Sequence, residues 1–263
     1  LCIVDTQTGE TADTIAALKL AKSKGAKTIA ISNVIGSSIT READYTVYTH
    51  AGPEIAVAST KAYTSQIVLL AIVAIYFAEI LEKNLEKCSE LKNDILLLPT
   101  KLEEVLKNTD KIKEFAKKIY KEKDVFFIGR GIDYSVAQEG SLKLKEISYI
   151  HSEAYPSGEL KHGAIALIEN GVTVVSVLTN RMLVEKSVSN LLEVVTRGAK
   201  TFIVTNQELN HDFDEVITIP KTSTLISPVL SVVPLQILAY YISKEKGLDV
   251  DKPRNLAKSV TVE

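Results

Sequence analysis

The stretch KGAKTIAISN at residues 24–33 recurs at residues 197–206 as RGAKTFIVTN. In each copy a Gly-Ala-Lys-Thr segment follows a helical pattern and leads into a short apolar run, which is typical of a helix end followed by a buried strand. Gly25 and Gly198 are 173 residues apart, and the strand-like and apolar helical segments after them also correspond. A repeat of this size predicts two copies of one α/β unit.

Apolar runs of strand length alternate with helical patterns in both copies, which predicts parallel sheets with helices on both faces. Residues 81–123, rich in Lys, Glu and Leu, are predicted to form connecting helices. The predicted strands are residues 1–5, 28–32, 45–48, 125–128, 171–178, 201–205 and 215–219. The predicted helices include one through Ile15 and Leu18 that ends near Gly25, and those at residues 61–82, 184–196 and 229–241.

The two copies differ at their beginnings. The second copy starts with the strand at residues 125–128 and the helix after it, and the offset would place their counterparts about 48 residues before Leu1. A sheet without such a strand has unpaired backbone groups and exposed core. We therefore expect a fragment of a longer chain, with an incomplete first domain at residues 1–82. Connecting helices and the second domain would span residues 83–247, and a C-terminal tail residues 248–263.

The composition indicates a soluble globular protein, because 46% of the 263 residues are apolar and 24% are charged. A net charge of −2 gives no general attraction to nucleic acids or membranes. Cys2 and Cys88 form neither a disulfide framework nor a metal-binding pattern, so we expect a cytoplasmic protein. The apolar run at residues 67–77 is too short to span a bilayer and is predicted to be part of a buried core helix.

Residues 139–163 read EGSLKLKEISYIHSEAYPSGELKHG and combine carboxylates, lysines and histidines. Helical spacing puts Glu139, Lys143 and Glu146 on one helix face. His162 follows in a predicted loop that Pro156 opens. A carboxylate, a cation and an imidazole in one stretch suggest proton transfer. Taken alone, however, the pattern is more typical of a solvated, salt-bridged helix face.

The loop at residues 5–11, DTQTGET, lies between a predicted strand and a predicted helix. Its hydroxyls and the free N–H groups of the helix N-terminus suit a phosphate monoester, whereas helix capping by Thr8 and Glu10 is the alternative. The second copy has LTNRML at residues 178–183, without the hydroxyl-and-glycine pattern. A requirement of the fold should appear in both copies, so this difference favours a ligand in the first. Neither a P-loop nor a dinucleotide-binding motif is present.

Two further positions also have two interpretations. Ser59 precedes the long apolar helix, where capping explains a serine as well as ligand binding does. Lys258 lies near the C-terminus, where most lysines are solvated, but a lysine held against an apolar pocket can form a Schiff base with a ketone.

Several motifs resemble a known family. TQTGETADT at residues 6–14 is similar to the SQSGETADT motif of sugar isomerase (SIS) domains. AVASTKAYTSQ, LKLKEISYIHSEAYPSGELKHG and DVDKPRNLAKSVTVE, at residues 56–66, 142–163 and 249–263, resemble the isomerase half of the glutamine–fructose-6-phosphate aminotransferase (glucosamine-6-phosphate synthase) family. The resemblance implies two tandem SIS domains, each with a flavodoxin-like parallel sheet. It also implies an N-terminal glutaminase domain, absent from this sequence.

The resemblance implies a role for each matching residue. Lys258 would form the Schiff base with C2 of open-chain fructose 6-phosphate, Glu146 would move the proton between C1 and C2, and Lys143 would stabilise the enolamine. His162 would open the sugar ring from the neighbouring subunit of a homodimer. The substrate phosphate would be held by Thr6, Gln7, Thr8 and Thr11, and the sugar by Val57, Ser59, Glu139 and Ala257.

The implied reaction converts fructose 6-phosphate and ammonia to glucosamine 6-phosphate for amino-sugar biosynthesis, with the tail at residues 248–263 over the active site. We expect neither a metal nor another cofactor. A non-catalytic sugar-phosphate-binding SIS module and a related deglycase or isomerase are the alternatives. The sequence departs from the family pattern at Thr6 and Thr8, which are usually serine, at Ala164, usually proline, and in THAGPE at residues 49–54, usually TNAGTE.

Overall fold

The computed structural model describes residues 1–258. Strands and helices alternate as the repeat predicts, and all paired strands run parallel. The strands are β1 Cys2–Thr6, β2 Thr28–Ser32, β3 Tyr45–Tyr48, β4 Asp124–Gly129, β5 His151–Pro156, β6 Thr173–Leu178, β7 Lys200–Thr205 and β8 Glu215–Thr218. The helices are α1 Ala12–Ser23, α2 Ser38–Glu42, α3 Lys61–Ile80, α4 Leu85–Leu106, α5 Thr109–Ile119, α6 Ile132–Ser148, α7 Val184–Val195 and α8 Ser227–Glu245. The predicted α/β class is confirmed.

The first of two compact units comprises residues 1–70 and 251–258. Its sheet has the order β1-β2-β3, with β2 in the centre. Val4 and Ala30 on adjacent strands pack with Leu18 of α1 and Ile39 of α2, which makes a small core. The tail reaches this unit through the Asp251 carbonyl, which accepts a hydrogen bond of 3.0 Å from the N–H of Val57.

The second unit comprises residues 71–250, and its sheet has the order β5-β4-β6-β7-β8. The central strand β6 is buried along its whole length, as expected for a parallel sheet covered on both faces. Gly140 lets α6 approach its neighbours closely, because a Cβ there would lie 2.5 Å from Leu235 of α8 and 3.0 Å from Phe127 of β4. The carboxyl ends of β6, β7 and β8 meet at one edge, where parallel sheets bind ligands.

Strand β5 was not predicted from the sequence. No strand was predicted between the helix that carries Glu146 and the loop at Pro156. In the structure α6 ends at Ser148, Tyr149 turns the chain in the left-handed conformation with φ 61°, and His151 begins β5 beside β4. An edge strand buries only part of its surface, so β5 lacks the continuous apolar run that marked the central strands.

The prediction that the apolar run at residues 67–77 is a buried core helix is wrong. The run belongs to the 20-residue helix α3, long and apolar enough by length and composition to cross a membrane, yet only 6% of its most apolar window is buried. The counterpart of α3 in the repeat is α8, which is buried by packing against α5 and α6. The described residues of the first copy contain no counterparts of α5 and α6.

The remaining boundaries agree closely with the predictions. The connecting region contains α4 and α5, and the helix predicted at residues 61–82 ends at Ile80. The predicted loop around His162 contains two short 3-10 helices, Leu160–His162 and Ala164–Leu167. The strand-like segment SVTVE at residues 259–263 lies outside the described residues.

Candidate functional site

The loop after β1 is folded by its own hydroxyl groups. Thr6 is 7% exposed, and its Oγ1 accepts a hydrogen bond of 3.2 Å from the N–H of Gly9. Thr8 Oγ1 accepts one of 3.3 Å from the N–H of Glu10. Both hydroxyls therefore keep their protons available for donation to a bound anion. The loop also contains a buried oxygen, Gln7 Oε1, that has no hydrogen-bond partner among the described residues.

Gly9 is required by the shape of this loop. Its φ is +73°, and a Cβ would lie only 2.1 Å from Ser37 Oγ. Glu10 does not cap α1, because its carboxylate accepts the N–H of Ser38 at the start of α2. Thr11 occupies the N-cap position of α1 without a side-chain capping bond. The α1 terminus thus lacks the capping that the alternative interpretation required.

A buried carboxylate, Glu54, organises the second part of the first unit. Its side chain is 4% exposed. Its oxygens accept the N–H groups of Thr60 at 2.8 Å and Ala62 at 3.4 Å, so Glu54 caps α3. Ser59 does not act as the cap, since its hydroxyl lies 3.2 Å from the same carboxylate. Burial would raise the pKa of Glu54, but these N–H groups, together with Lys258 and the Ser59 hydroxyl, lower it.

Lys258 is held by this carboxylate. Its Nζ lies 3.4 Å from Glu54 Oε2 and also donates to the carbonyl oxygen of Ala56. Lys258 is about one-third exposed, and Ala257 beside it is exposed. Val57, next to Ala56 in the chain, is half-buried. The structure therefore brings the tail lysine and Ser59 together through Glu54, rather than leaving the lysine solvated.

On α6 the three predicted residues form a connected ion-pair cluster. Lys143 Nζ lies 2.7 Å from Glu146 Oε2 and 3.4 Å from Glu139 Oε1. The side chain of Lys143 is only 5% exposed, and those of Glu139 and Glu146 are 13% and 21% exposed. This burial excludes the solvated helix face that the sequence pattern alone favoured. Burial raises the pKa of Glu139, with Lys143 opposing the shift and Glu146 adding to it.

His162 is separate from this cluster. It ends the short 3-10 helix at residues 160–162 and is exposed. Within residues 1–258 it makes no hydrogen bond or ion pair with the α6 cluster. Its exposed position leaves the imidazole open to a group from outside the unit.

Sequence reasoning missed Glu54 and Asp133. Asp133 is 2% exposed and accepts the N–H groups of Thr179 and Asn180, at 2.9 and 3.1 Å, which fixes the loop after β6. Neither residue lies in a recognisable sequence motif. Asp133 binds residues 46 and 47 positions away, and Glu54 binds Lys258, 204 positions away. A cleft of about 740 Å³ beside this loop contains none of the predicted site residues. Among residues 1–258, no group of three or more His, Cys, Asp or Glu side chains is arranged to hold a metal ion.

The amino-acid sequence is similar to known proteins over most or all of its length. The sequence matches the SIS domain family over residues 1–76 and 118–243. Over its whole length it is 58% identical to the glutamine–fructose-6-phosphate aminotransferase (isomerizing) of Clostridium perfringens, and 49% identical to that of Thermococcus kodakarensis. The chain spans 44% of the length of each of these relatives.

A solved structure is also similar. The C-terminal domain of glucosamine-fructose-6-phosphate aminotransferase from Francisella tularensis matches with a TM-score of 0.88 and 39% identity. The match covers 95% of this chain and 73% of that one.

Proposed function

The chain belongs to the SIS-domain family, and from this premise we propose that it is the isomerase part of a glutamine–fructose-6-phosphate aminotransferase. In this reaction fructose 6-phosphate and ammonia give glucosamine 6-phosphate and water. A glutaminase domain elsewhere in the parent protein supplies the ammonia from glutamine. The 58% identity to a named aminotransferase over the whole of this chain, which is 44% of that relative's length, supports the assignment.

The observation that carries the proposal is the buried lysine between two carboxylates on α6. Moving a proton from C1 to C2 of a ketose requires one base that removes and returns it, and a cation that stabilises the charge on the intermediate. Glu146 is our candidate for the base, and Lys143, 2.7 Å away, for the cation. Glu139, the less exposed carboxylate, supports the sugar contacts and holds Lys143 from the other side.

The loop after β1 is proposed to bind the substrate phosphate. The first-turn N–H groups of α1 and its positive dipole end favour an anion, and Thr11 leaves this terminus without a side-chain cap. Thr6 and Thr8 use their oxygens as acceptors inside the loop, so their protons can be donated to phosphate oxygens. Gln7 contributes the side-chain amide.

Lys258 is proposed to form the imine with the C2 carbonyl of the open-chain sugar. The amine nitrogen attacks C2 and the carbonyl oxygen leaves as water, which gives an imine that acidifies the C1 protons. Ammonia then attacks C2 and displaces the lysine amine, so that the sugar keeps the nitrogen of ammonia and Lys258 is regenerated. Glu54 and Ala56 hold the lysine Nζ in place. Val57, Ser59 and Ala257, adjacent to these groups, are proposed to line the sugar.

His162 is proposed to open the sugar ring of a neighbouring subunit in a homodimer. Its exposed imidazole on a short 3-10 helix fits this role better than a buried position would. We place the reaction in the cytoplasm, where its product would enter amino-sugar biosynthesis.

Trapping the imine tests the proposal. The full-length protein is incubated with fructose 6-phosphate and borohydride, digested, and analysed by mass spectrometry. We expect the reduced sugar phosphate on Lys258 and at least about ten-fold less labelling with fructose, because the phosphate supplies binding energy. Lys258→Arg should abolish the adduct. Labelling of other lysines with Lys258 unmodified would refute the assignment.

A further inference from the structure

A cleft of about 740 Å³ lies at the carboxyl edge of the sheet in the second unit. The ends of β6 and β7, the loop after β8 and the start of α4 all contribute to it, and none of these elements carries a residue of the proposed active site. The volume is typical of small-molecule sites. Its polar lining comprises Lys87, Glu90, Thr179, Arg181, Asn206, Gln207, Glu208, Lys221, Thr222, Ser223 and Thr224.

Two carboxylates, the buried Asp133 and the partly buried Asp94, hold two of these loops in place. Asp133 accepts the N–H groups of Thr179 and Asn180 after β6 and also the Thr179 hydroxyl. Asp94 of α4 accepts the N–H of Ser223 at 2.8 Å, after β8. The rims of the cleft are thereby fixed before any ligand arrives, which lowers the ordering cost of binding.

The cleft carries more positive than negative side chains. Lys87, Arg181 and Lys221 line it, against Glu90 and Glu208. In the part of the chain that the structure describes, none of the three cations forms an ion pair. Unpaired cations around a polar cleft favour an anionic ligand, and the Arg181 guanidinium can bind two phosphate oxygens at once.

The internal repeat places this cleft where the first copy has its hydroxyl loop. β6, β7 and β8 correspond to β1, β2 and β3, and Arg181 lies 173 residues after Thr8. At this edge the second copy has replaced a hydroxyl with a cation, while Thr222, Ser223 and Thr224 supply hydroxyl groups from another loop. The second copy therefore retains polar groups suited to an anion, although the loop after β6 lacks the hydroxyls of the loop after β1.

We propose that this cleft is a second, non-catalytic site for a phosphate ester of a polyhydroxylated molecule. Arg181 and Lys221 bind the phosphate, and Lys87 adds a third positive charge to the cleft. The amides of Asn206 and Gln207 and the carboxylates of Glu90 and Glu208 bind hydroxyl groups. The proposed site does not depend on the proposed isomerase chemistry, so the two proposals can be tested separately.

Calorimetric titration of the full-length protein with glucose 6-phosphate, with glucose as the uncharged comparison, tests the site. We expect two binding events per chain, of which the double substitution Arg181→Gln and Lys221→Gln weakens one by at least about ten-fold. Thr8→Val, in the loop after β1, should weaken only the other. Lys186→Gln, at an exposed position on α7 outside the cleft, is the matched control and should change neither.

The number of binding events that each variant loses distinguishes this inference from the proposed function. If binding is abolished by Thr8→Val alone and the double substitution has no effect, the second site is refuted while the first stands. If the double substitution removes a binding event that Thr8→Val leaves unchanged, the second site is supported, whatever the enzyme's activity. Inorganic phosphate provides a second readout: it should raise the thermal midpoint of Thr8→Val by more than that of a variant that combines Thr8→Val with the double substitution.

Discussion

Glu54 is the residue whose ionisation we expect to control the stability of the first unit most strongly. Burial would raise its pKa, but the N–H groups of Thr60 and Ala62 hold it below the ordinary value of 4.5, and Lys258 acts in the same direction. A carboxyl group with a lowered folded pKa stabilises the fold fully above its unfolded pKa. This contribution is lost as the pH falls through the folded pKa.

The substitution Glu54→Gln tests this linkage. At neutral pH we expect the free energy of unfolding to fall by about 1–2 kcal/mol, because a charged helix cap and a partly exposed ion pair are lost. The difference from the wild type should begin to shrink as the pH falls below 4.5, the ordinary value that applies in the unfolded chain, and should be smallest below the lowered folded pKa, where the wild-type carboxylate is neutral in both states. Urea unfolding of both proteins, from neutral pH to below 4.5, measures this difference in the free energy of unfolding. Glu185→Gln, at an exposed position, is the control. A difference independent of pH would contradict the prediction.

Local spacing revealed the α6 cluster but not Glu54. Glu139, Lys143 and Glu146 are three and four residues apart on one helix, so their proximity follows from helical geometry. What spacing could not provide was their burial, which depends on the packing of α6 against other elements. Glu54 and Lys258 are 204 residues apart, and only the folded chain brings them together.

At the scale of elements, the turn between β1 and α1 depends on a single glycine. An alanine at Gly9 would have a positive φ and would also place its Cβ 2.6 Å from Ser37 Cβ, so α2 would have to shift. Gly25 has a similar φ of +78° but nothing within 4 Å of its Cβ position. Substituting alanine at each of the two glycines therefore distinguishes the cost of backbone strain, present at both, from that of a steric clash, present only at Gly9.

We expect Gly9→Ala to reduce the free energy of unfolding by about 2–4 kcal/mol, and Gly25→Ala by about 1–2 kcal/mol, the cost of the left-handed conformation alone. Phosphate-ester affinity should fall only for Gly9→Ala. Chemical denaturation and a fructose 6-phosphate titration of both variants measure this. Equal losses of stability in the two variants would show that the clash is relieved without cost.

Elements with a strong local signal were predicted well, and elements that depend on their surroundings were not. The central strands β2, β6 and β7 are continuous apolar runs, which mark a buried parallel strand. β5 lies at an edge of the sheet, where burial is partial, so its amino-acid sequence did not distinguish a strand from a loop. α3 has the composition of a core helix, but composition does not show whether other elements cover a helix, and the described residues leave most of α3 uncovered.

At the scale of the whole molecule, the repeat predicts what covers α3. In the second copy α8 packs against α5 and α6, and the same offset gives their counterparts positions before Leu1, which this sequence does not include. Leu70, Ile72, Tyr76 and Ile80 are 40–60% exposed on α3. We therefore expect this apolar surface to be a helix-packing surface and not a membrane span.

Cysteine labelling tests this expectation. In the present chain a Tyr76→Cys thiol should react readily with a maleimide, because position 76 is 60% exposed. In a chain extended to include the predicted preceding strand and helices, labelling should slow by at least about ten-fold, as for other buried sites. Glu82→Cys, exposed beyond the end of α3, is the control. Equal labelling of position 76 in both chains, or protection only when lipid vesicles are added, would contradict the expectation.

Proton exchange at C1 of fructose 6-phosphate tests the proposed chemistry most directly. In deuterated water without glutamine, the full-length protein should exchange one C1 proton, which NMR spectroscopy detects. Glu146→Gln should slow the exchange by about two to four orders of magnitude, since it removes the base. Glu185→Gln should match the wild type. Equal exchange in Glu146→Gln and the wild type, or none in the wild type, would contradict the isomerase assignment of the α6 cluster.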